Sequence, residues 1–224
     1  MKNKEDILIL SIESSGALCG VALSRGSELL AEYSTFISNQ HDRLLAVYTD
    51  RILKDFSLDI NNLDAIAISS GPGSFTGLRI GASLAKGLCF GGKPNMIAIP
   101  CTQSLATALV SISKLSKKSN IFIAIASHRD NVYTQCFDLS AKPLTAIQLR
   151  KIEDIEKIEY QNSFVAGSGT CLLQDSGYYR EYGNILPGYL NSIALQSFLE
   201  QKFVDPSEFS PDYHQDFTPK GKSK

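Results

Sequence analysis

The glycine-rich segment 71–81 contains the residues whose types and spacing most suggest chemistry. Its glycines allow positive φ angles and close backbone approach, and its proline stiffens the turn. Ser74 or Thr76 can cap a following helix, and the N-terminus of such a helix attracts anions. Two interpretations follow, a structural turn and a phosphate site. The candidate loop residues are Gly71, Pro72, Gly73, Ser74, Thr76 and Arg79.

Comparison with known motifs weakens the phosphate interpretation. The segment has no GK[ST] ending, so it is not a Walker loop, and Thr76 stands where GxGxxG requires its last glycine. It also lacks the GxSxG pattern, so Ser74 is not the serine of a nucleophile elbow. The sequence therefore favours a structural turn.

The helix expected after this turn carries small residues on one face. Gly77, Gly81 and Ala85 recur at four-residue steps, and small residues at that spacing allow close approach of another element. Glycine costs about 1 kcal/mol relative to alanine inside a helix, so a packing reason is expected. The pattern fits internal packing on the chain's own sheet and a helix–helix interface with a partner about equally well.

Hydrophobic periodicity places these residues in an α/β fold. Apolar runs and alternation predict strands over 7–12, 19–24, 28–37, 65–69 and 96–99, and three- and four-residue spacing predicts helices over 40–56 and 77–90. This order, a meander followed by βαβ elements, is typical of ribonuclease-H-like mixed sheets flanked by helices. Less regular patterns predict helices over 102–113 and 191–203 and strands over 121–126, 132–137, 144–149 and 164–166. We therefore predict a first lobe (1–101), a reduced second lobe (102–210) and an irregular tail (211–224).

Composition limits the classes of function. The 224 residues are 43% hydrophobic and 20% charged, and the formal net charge of -1 gives no support for tight nucleic-acid binding. No apolar run approaches the length of a membrane span. The five widely spaced cysteines include no CxxC pair, so a zinc ribbon is not expected. Their odd number and wide spacing predict a reducing, cytoplasmic environment.

Several segments together resemble the TsaB (YeaZ) family. The stretch 70–81, SGPGSFTGLRIG, is similar to the family signature, the opening stretch 9–15 resembles its first hairpin, and 40–45 matches its His-led helix. The family commonly has Asp where this chain has Glu13. Its second-lobe stretch also differs here, at Ser127, His128 and Asn131, and its C-terminal P-x-Y-L-R becomes Pro-Asp-Tyr-His-Gln at 211–215.

The resemblance implies a two-lobed fold of the actin, Hsp70 and sugar-kinase type. It also implies pairing with the catalytic paralogue TsaD and the ATPase TsaE, contact with tRNA only through that complex, no membrane, and a homodimer when the chain is alone. TsaD transfers a threonylcarbamoyl group to adenosine in tRNA, and TsaB supports this step. We assign the partner interface to the predicted α-helical surface residues His41, Leu44, Leu45, Tyr48, Ile52, Gly77, Leu78, Gly81 and Ala85.

The residues also argue against catalysis. TsaD-like proteins carry an HxxxH pair that places two imidazoles on one helix face, whereas His41 is followed at that spacing by Leu45. ATPases of this fold hold magnesium with one carboxylate after the first strand of each lobe. This chain has Glu13 after the first strand of the first lobe, but Ser127 stands at the corresponding position of the second lobe. We therefore expect no metal and no cofactor. Vestiges of a nucleotide site are predicted at Glu13, Ser14, Ser15, Gly167 and Gly169. The alternative is a nucleotide-dependent ATPase or phosphotransferase that uses Glu13 and the glycine turns.

Overall fold

The computed structural model describes residues 2–36, 41–90, 93–174 and 182–213. Its first sheet consists of β1 (Leu8–Glu13), β2 (Cys19–Arg25), β3 (Glu28–Thr35), β4 (Ala65–Gly71) and β5 (Asn95–Pro100). The strand order is β3-β2-β1-β4-β5, with β1 antiparallel to β2 and parallel to β4. A meander thus gives way to parallel strands, as predicted.

The second sheet repeats this arrangement with fewer strands. It consists of β6 (Asn120–Ala126), β7 (Asn131–Phe137), β8 (Gln148–Lys151) and β9 (Ser163–Ala166). The order is β8-β7-β6-β9, with β6 antiparallel to β7 and parallel to β9. Two mixed sheets flanked by helices confirm the predicted fold class.

The helices lie on both faces of the first sheet. They are α1 (His41–Asp55), α2 (Phe75–Cys89), α3 (Cys101–Ala108), α4 (Val110–Leu115) and α5 (Asn191–Leu199). Alternate side chains of β1 point to opposite faces: Leu10 and Ile12 pack with α1 and α2, while Ile9 packs with α3, α5 and the second sheet. One apolar cluster joins both sheets, and the lobe boundaries 1–101 and 102–210 stay a prediction. No helix within the described ranges is long and apolar enough to cross a lipid bilayer.

Most predicted elements lie within about two residues of the observed bounds, and three depart further. The helix predicted over 102–113 is divided at Leu109, whose ψ of 0° departs from helical geometry. The strand predicted over 144–149 begins only at Gln148, because the preceding residues Leu144 and Thr145 both donate to the Cys136 carbonyl instead of extending a ladder. The last helix ends at Leu199, and Gln201 has a positive φ of 54°. Of the predicted tail, residues 214–224 lie outside the described part of the chain.

Candidate functional site

The glycine loop between β4 and α2 packs against the turn that follows β1. The Ser74 amide donates to the Ser15 carbonyl at 2.7 Å, and the Gly77 amide donates to the Ser74 side chain at 3.2 Å. A Cβ at Gly73 would overlap the Ser15 carbonyl oxygen. Because the chain itself uses these amides, the geometry supports the structural-turn interpretation over the phosphate site.

The small-residue face of α2 also packs internally. Gly77, Gly81 and Ala85 are buried. A Cβ at Gly77 would overlap the Ser14 carbonyl oxygen, and one at Gly81 would overlap the Ser14 hydroxyl oxygen. A partner helix cannot reach these three residues, so their assignment to a partner interface is corrected. They allow α2 to lie directly on the turn after β1.

Three other predicted interface residues are core residues. Leu45, Ile52 and Leu78 have exposed fractions of 1%, 0% and 0%, because they fill the space between the helices and the first sheet. Their assignment to a partner interface is corrected in the same way, except that Leu45 also lines the groove described next. Leu44 and Tyr48 are half-buried. The side chain of His41 lies outside the part that the structure describes.

An open groove of about 520 Å³ runs between α1 and α2 on the outer surface, and we call it the α1–α2 groove. Its lining consists of Asp42, Leu45, Ala46, Phe75, Thr76, Arg79, Ile80, Ser83 and Leu84. The α2 residues Thr76, Ile80, Ser83 and Gly87 share one face at helical spacing. A Cβ at Gly87 would meet no described atom within 4 Å. The α2 helix therefore has a second, outward face of mostly small residues.

Glu13 lies in a closed hydrogen-bond cluster at the end of β1. One carboxylate oxygen accepts bonds from the Ser15 amide at 2.6 Å and the Ser15 hydroxyl at 2.5 Å. The Ser69 hydroxyl donates to the other oxygen. Burial raises the pKa of Glu13, while these hydrogen bonds act in the opposite direction. The cluster fixes the turn on which the glycine loop rests.

Three of the five residues predicted as vestiges of a nucleotide site lie around one small cavity. Glu13, Ser15 and Gly167 line one small cavity between the sheets, of about 20 Å³. This is room for about one water molecule, whereas small-molecule ligand sites have roughly 300–1,000 Å³. Gly167 has a φ of 108°, and the Gly169 amide donates to the Ala124 carbonyl at 2.9 Å. The second glycine turn is thus bonded to β6, and the cavity beside it, as the described residues form it, is too small for a nucleotide.

The described ranges contain no group of three or more His, Cys, Asp or Glu side chains that could hold a metal ion. Cys101, at the start of α3, is fully buried, and burial followed by the charge of Glu13 raises its thiol pKa to about 12. Such a thiol is protonated at neutral pH and is a poor nucleophile. The geometry therefore offers positions for packing and docking more readily than for acid–base or metal chemistry.

Sequence reasoning missed the residues that complete this region. Ser69 closes the Glu13 cluster. The Tyr213 ring packs at a tilt of 42° against that of Phe75 at the end of the α1–α2 groove, with ring centroids 4.7 Å apart. The outward face of α2 could have been found, since Thr76, Ile80, Ser83 and Gly87 repeat at helical spacing. No local signal connects Tyr213 to α2, because the two are far apart in sequence.

Comparison with known proteins gives a consistent set of relatives. The family model described as "TsaD: tRNA N6-adenosine threonylcarbamoyltransferase" matches residues 34–172. The tRNA threonylcarbamoyladenosine biosynthesis protein TsaB of Haemophilus influenzae is 32% identical over 58% of this chain and 53% of its own length. The TsaB protein of Bacillus subtilis is 27% identical over 57% of this chain and 58% of its own length. The chain thus aligns with little more than half of each relative.

A solved structure supports the same fold over nearly the whole chain. It is that of an uncharacterized protein with similarity to the peptidase YeaZ from Pseudomonas aeruginosa, with a TM-score of 0.79 and 21% identity. The match covers 93% of this chain and 100% of the other. Since the family model spans more than half of the sequence, and the curated relatives are TsaB proteins, this chain belongs to the TsaD family of tRNA N6-adenosine threonylcarbamoyltransferase, on its TsaB (YeaZ) branch.

Proposed function

We propose that this chain is a non-catalytic partner subunit that binds a TsaD protein and supports threonylcarbamoyl transfer to adenosine of tRNA. The observation that carries the proposal is the open α1–α2 groove, whose α2 side includes Thr76, Ile80 and Ser83. The names of the relatives supply the pathway, since the curated TsaB proteins are described as threonylcarbamoyladenosine biosynthesis proteins.

The groove has the properties of a helix-docking surface. Short side chains at Ala46, Thr76 and Ser83 let a helix backbone approach α1 and α2 closely, as small residues do at other helix–helix contacts. Ile80 and Leu84 supply apolar surface beside them, and burial of such surface drives association. We propose that a helix of TsaD occupies the groove, and that a second copy of this chain occupies it when TsaD is absent.

The Glu13 cluster supports the non-catalytic part of the proposal. Both carboxylate oxygens accept bonds from serines of the same chain, and the adjoining cavity has a volume of only about 20 Å³. A carboxylate that holds magnesium beside a nucleotide needs free oxygens and an open site. We therefore propose that nucleotide hydrolysis is supplied by a separate ATPase of the TsaE kind, and that tRNA is contacted through the complex.

The test is binding to the TsaD protein encoded in the same genome. Ser83→Trp fills the groove from an exposed helical position and leaves the core untouched. Ser111→Trp is the matched control, because Ser111 is an exposed helical serine in α4, outside the groove. We expect the first variant to lose TsaD and the second to retain it. Magnesium-dependent ATP hydrolysis by the isolated chain, abolished in Glu13→Ala, would contradict the non-catalytic role.

A further inference from the structure

We propose that Arg79 binds a carboxylate of the protein that docks in the α1–α2 groove, and that Tyr213 is the positioning residue that holds Arg79 ready for it. The inference rests on the proposed function, because it requires a protein in the groove. It adds the chemistry of the partner: a helix with an apolar face and an Asp or Glu side chain placed to meet Arg79.

The Arg79 side chain is held in a defined orientation although it is exposed. Its guanidinium carbon lies 3.9 Å from the centre of the Phe75 ring, a distance typical of a cation–π contact. Its Nε donates a hydrogen bond to the Tyr213 hydroxyl at 3.2 Å. The ring of Tyr213 packs on that of Phe75, with centroids 4.7 Å apart. Two side chains, Phe75 and Tyr213, therefore fix the plane of the Arg79 guanidinium at the end of the groove.

The backbone of Asp212 and Tyr213 is itself held by two hydrogen bonds. The Tyr133 hydroxyl of β7 donates to the Tyr213 carbonyl at 2.9 Å, and the Asp212 amide donates to the Ser70 carbonyl at 2.8 Å. Gly71, with a φ of 114°, has no Cβ where the Asp212 carbonyl lies. The segment of Asp212 and Tyr213 therefore crosses the glycine loop at a fixed place and delivers the tyrosine ring to α2.

Arg79 forms no ion pair within the described part of the chain, although Asp42 lines the same groove. The only hydrogen bond of Arg79 there is the one through Nε. Both Nη groups therefore have no partner in these ranges. A guanidinium presented in a fixed plane matches the two oxygens of a carboxylate. Because Leu45, Ile80 and Leu84 line the same groove as Arg79, a protein helix with an acidic residue fits better than a nucleic-acid backbone.

The experiment measures the dissociation constant for the TsaD protein of the same genome by calorimetry at low and high salt. Arg79→Gln should weaken binding about tenfold at low salt, the effect of losing one charge-assisted hydrogen-bonded pair, and the difference should shrink at high salt. Tyr213→Phe, which lacks the hydroxyl that Nε donates to, should weaken binding by a smaller factor and add nothing to Arg79→Gln. Arg25→Gln is the matched control, because Arg25 is exposed at the opposite end of the first sheet.

The outcomes separate this inference from the proposed function. If Ser83→Trp abolishes binding while Arg79→Gln leaves it unchanged at both salt concentrations, the carboxylate contact is refuted and the docking groove stands. If the wild-type chain does not bind TsaD at all, both are refuted. If Arg79→Gln changes only the affinity of the assembled complex for tRNA, Arg79 contacts phosphate and the inference is overturned. A loss of affinity that is the same at both salt concentrations indicates a purely structural role for Arg79 and also refutes it.

Discussion

Replacing Gly81 by alanine adds one methyl group where α2 touches the turn after β1. A Cβ at this position would overlap the Ser14 hydroxyl oxygen and would lie 3.4 Å from the Ser14 Cβ. Gly77 contacts the same residue differently, because a Cβ there would overlap the Ser14 carbonyl oxygen. The hydroxyl can be removed by mutation and the carbonyl cannot, so the two glycines should respond differently to a change at Ser14.

The expected magnitude follows from two opposing effects. Alanine is about 1 kcal/mol more favourable than glycine inside a helix, while forcing an extra carbon into a packed contact costs about 1–3 kcal/mol and occasionally more. Because the overlap at Gly81 is severe, the second effect should exceed the first. We expect Gly81→Ala to lower the free energy of unfolding by about 1–2 kcal/mol, or the melting temperature by roughly 2–8 °C.

Ser14→Ala should rescue this variant. The Ser14 hydroxyl oxygen is buried and has no hydrogen-bond partner in the described part of the chain, and burying such a group is unfavourable. Its removal should therefore cost little and should relieve the overlap with Ala at position 81. The double variant should return to within about 1 kcal/mol of the wild type, whereas Gly77→Ala should not be rescued by Ser14→Ala.

Urea unfolding of the isolated chain, followed by circular dichroism, measures these differences. Gly87→Ala is the matched control, since Gly87 is exposed in the same helix and a Cβ there would meet no atom of the described residues within 4 Å. This variant should raise the free energy of unfolding by about 0.5–1 kcal/mol. If Gly81→Ala is as stable as Gly87→Ala, or if Ser14→Ala rescues both Gly77→Ala and Gly81→Ala equally, the proposed packing of α2 on Ser14 is wrong. A Gly81→Ala variant that loses only TsaD binding would restore the interface interpretation.

Two further predictions concern buried ionisable groups. Because burial raises the folded-state pKa of Glu13 above its usual 4.5, its contribution to stability is complete below about pH 4.5 and is lost as pH rises through the folded-state value. The free energy of unfolding of Glu13→Gln relative to wild type, measured in urea, should therefore increase as pH rises from about 4.5 through the folded-state pKa of Glu13. A difference that does not change with pH would show that Glu13 is not protonated preferentially in the folded state. Cys171 is exposed, whereas the buried thiol of Cys101 has a pKa raised to about 12. Iodoacetamide should thus label Cys171 in the native chain and Cys101 only after unfolding, as measured by peptide mass spectrometry. Equal labelling rates of the two thiols in the native chain would contradict the burial of Cys101.

The fold could be predicted because its periodic patterns are local. The alternation in β2 and the three- and four-residue spacing in α1 each follow from which side chains face the first sheet, and both elements form close to the predicted bounds. The division of the predicted helix 102–113 at Leu109 could not be predicted, since the segment contains no proline or glycine. The local sequence pattern thus predicts the presence of helices and strands better than the residues at which they begin and end.

The orientation of α2 could not be read from its sequence. The helix has small residues on two faces, and the spacing of Gly77, Gly81 and Ala85 is the same whether they meet a partner or the chain's own backbone. The placement of Ser14 against this face decides the matter, and that contact depends on tertiary structure. The Arg79–Tyr213 bond joins residues 134 apart in sequence and has no local signal. Glu13 was identified from its place after the first strand, but its closure by Ser69 required the structure.

The most direct test of the central claim is the affinity of this chain for the TsaD protein of the same genome, with Ser83→Trp and Ser111→Trp compared by calorimetry. If the α1–α2 groove receives TsaD, Ser83→Trp should weaken binding at least about thirtyfold, which corresponds to about 2 kcal/mol. Ser111→Trp should bind like the wild type, and both variants should unfold at wild-type urea concentrations. Equal affinities for Ser83→Trp and the wild type would show that TsaD does not dock in this groove.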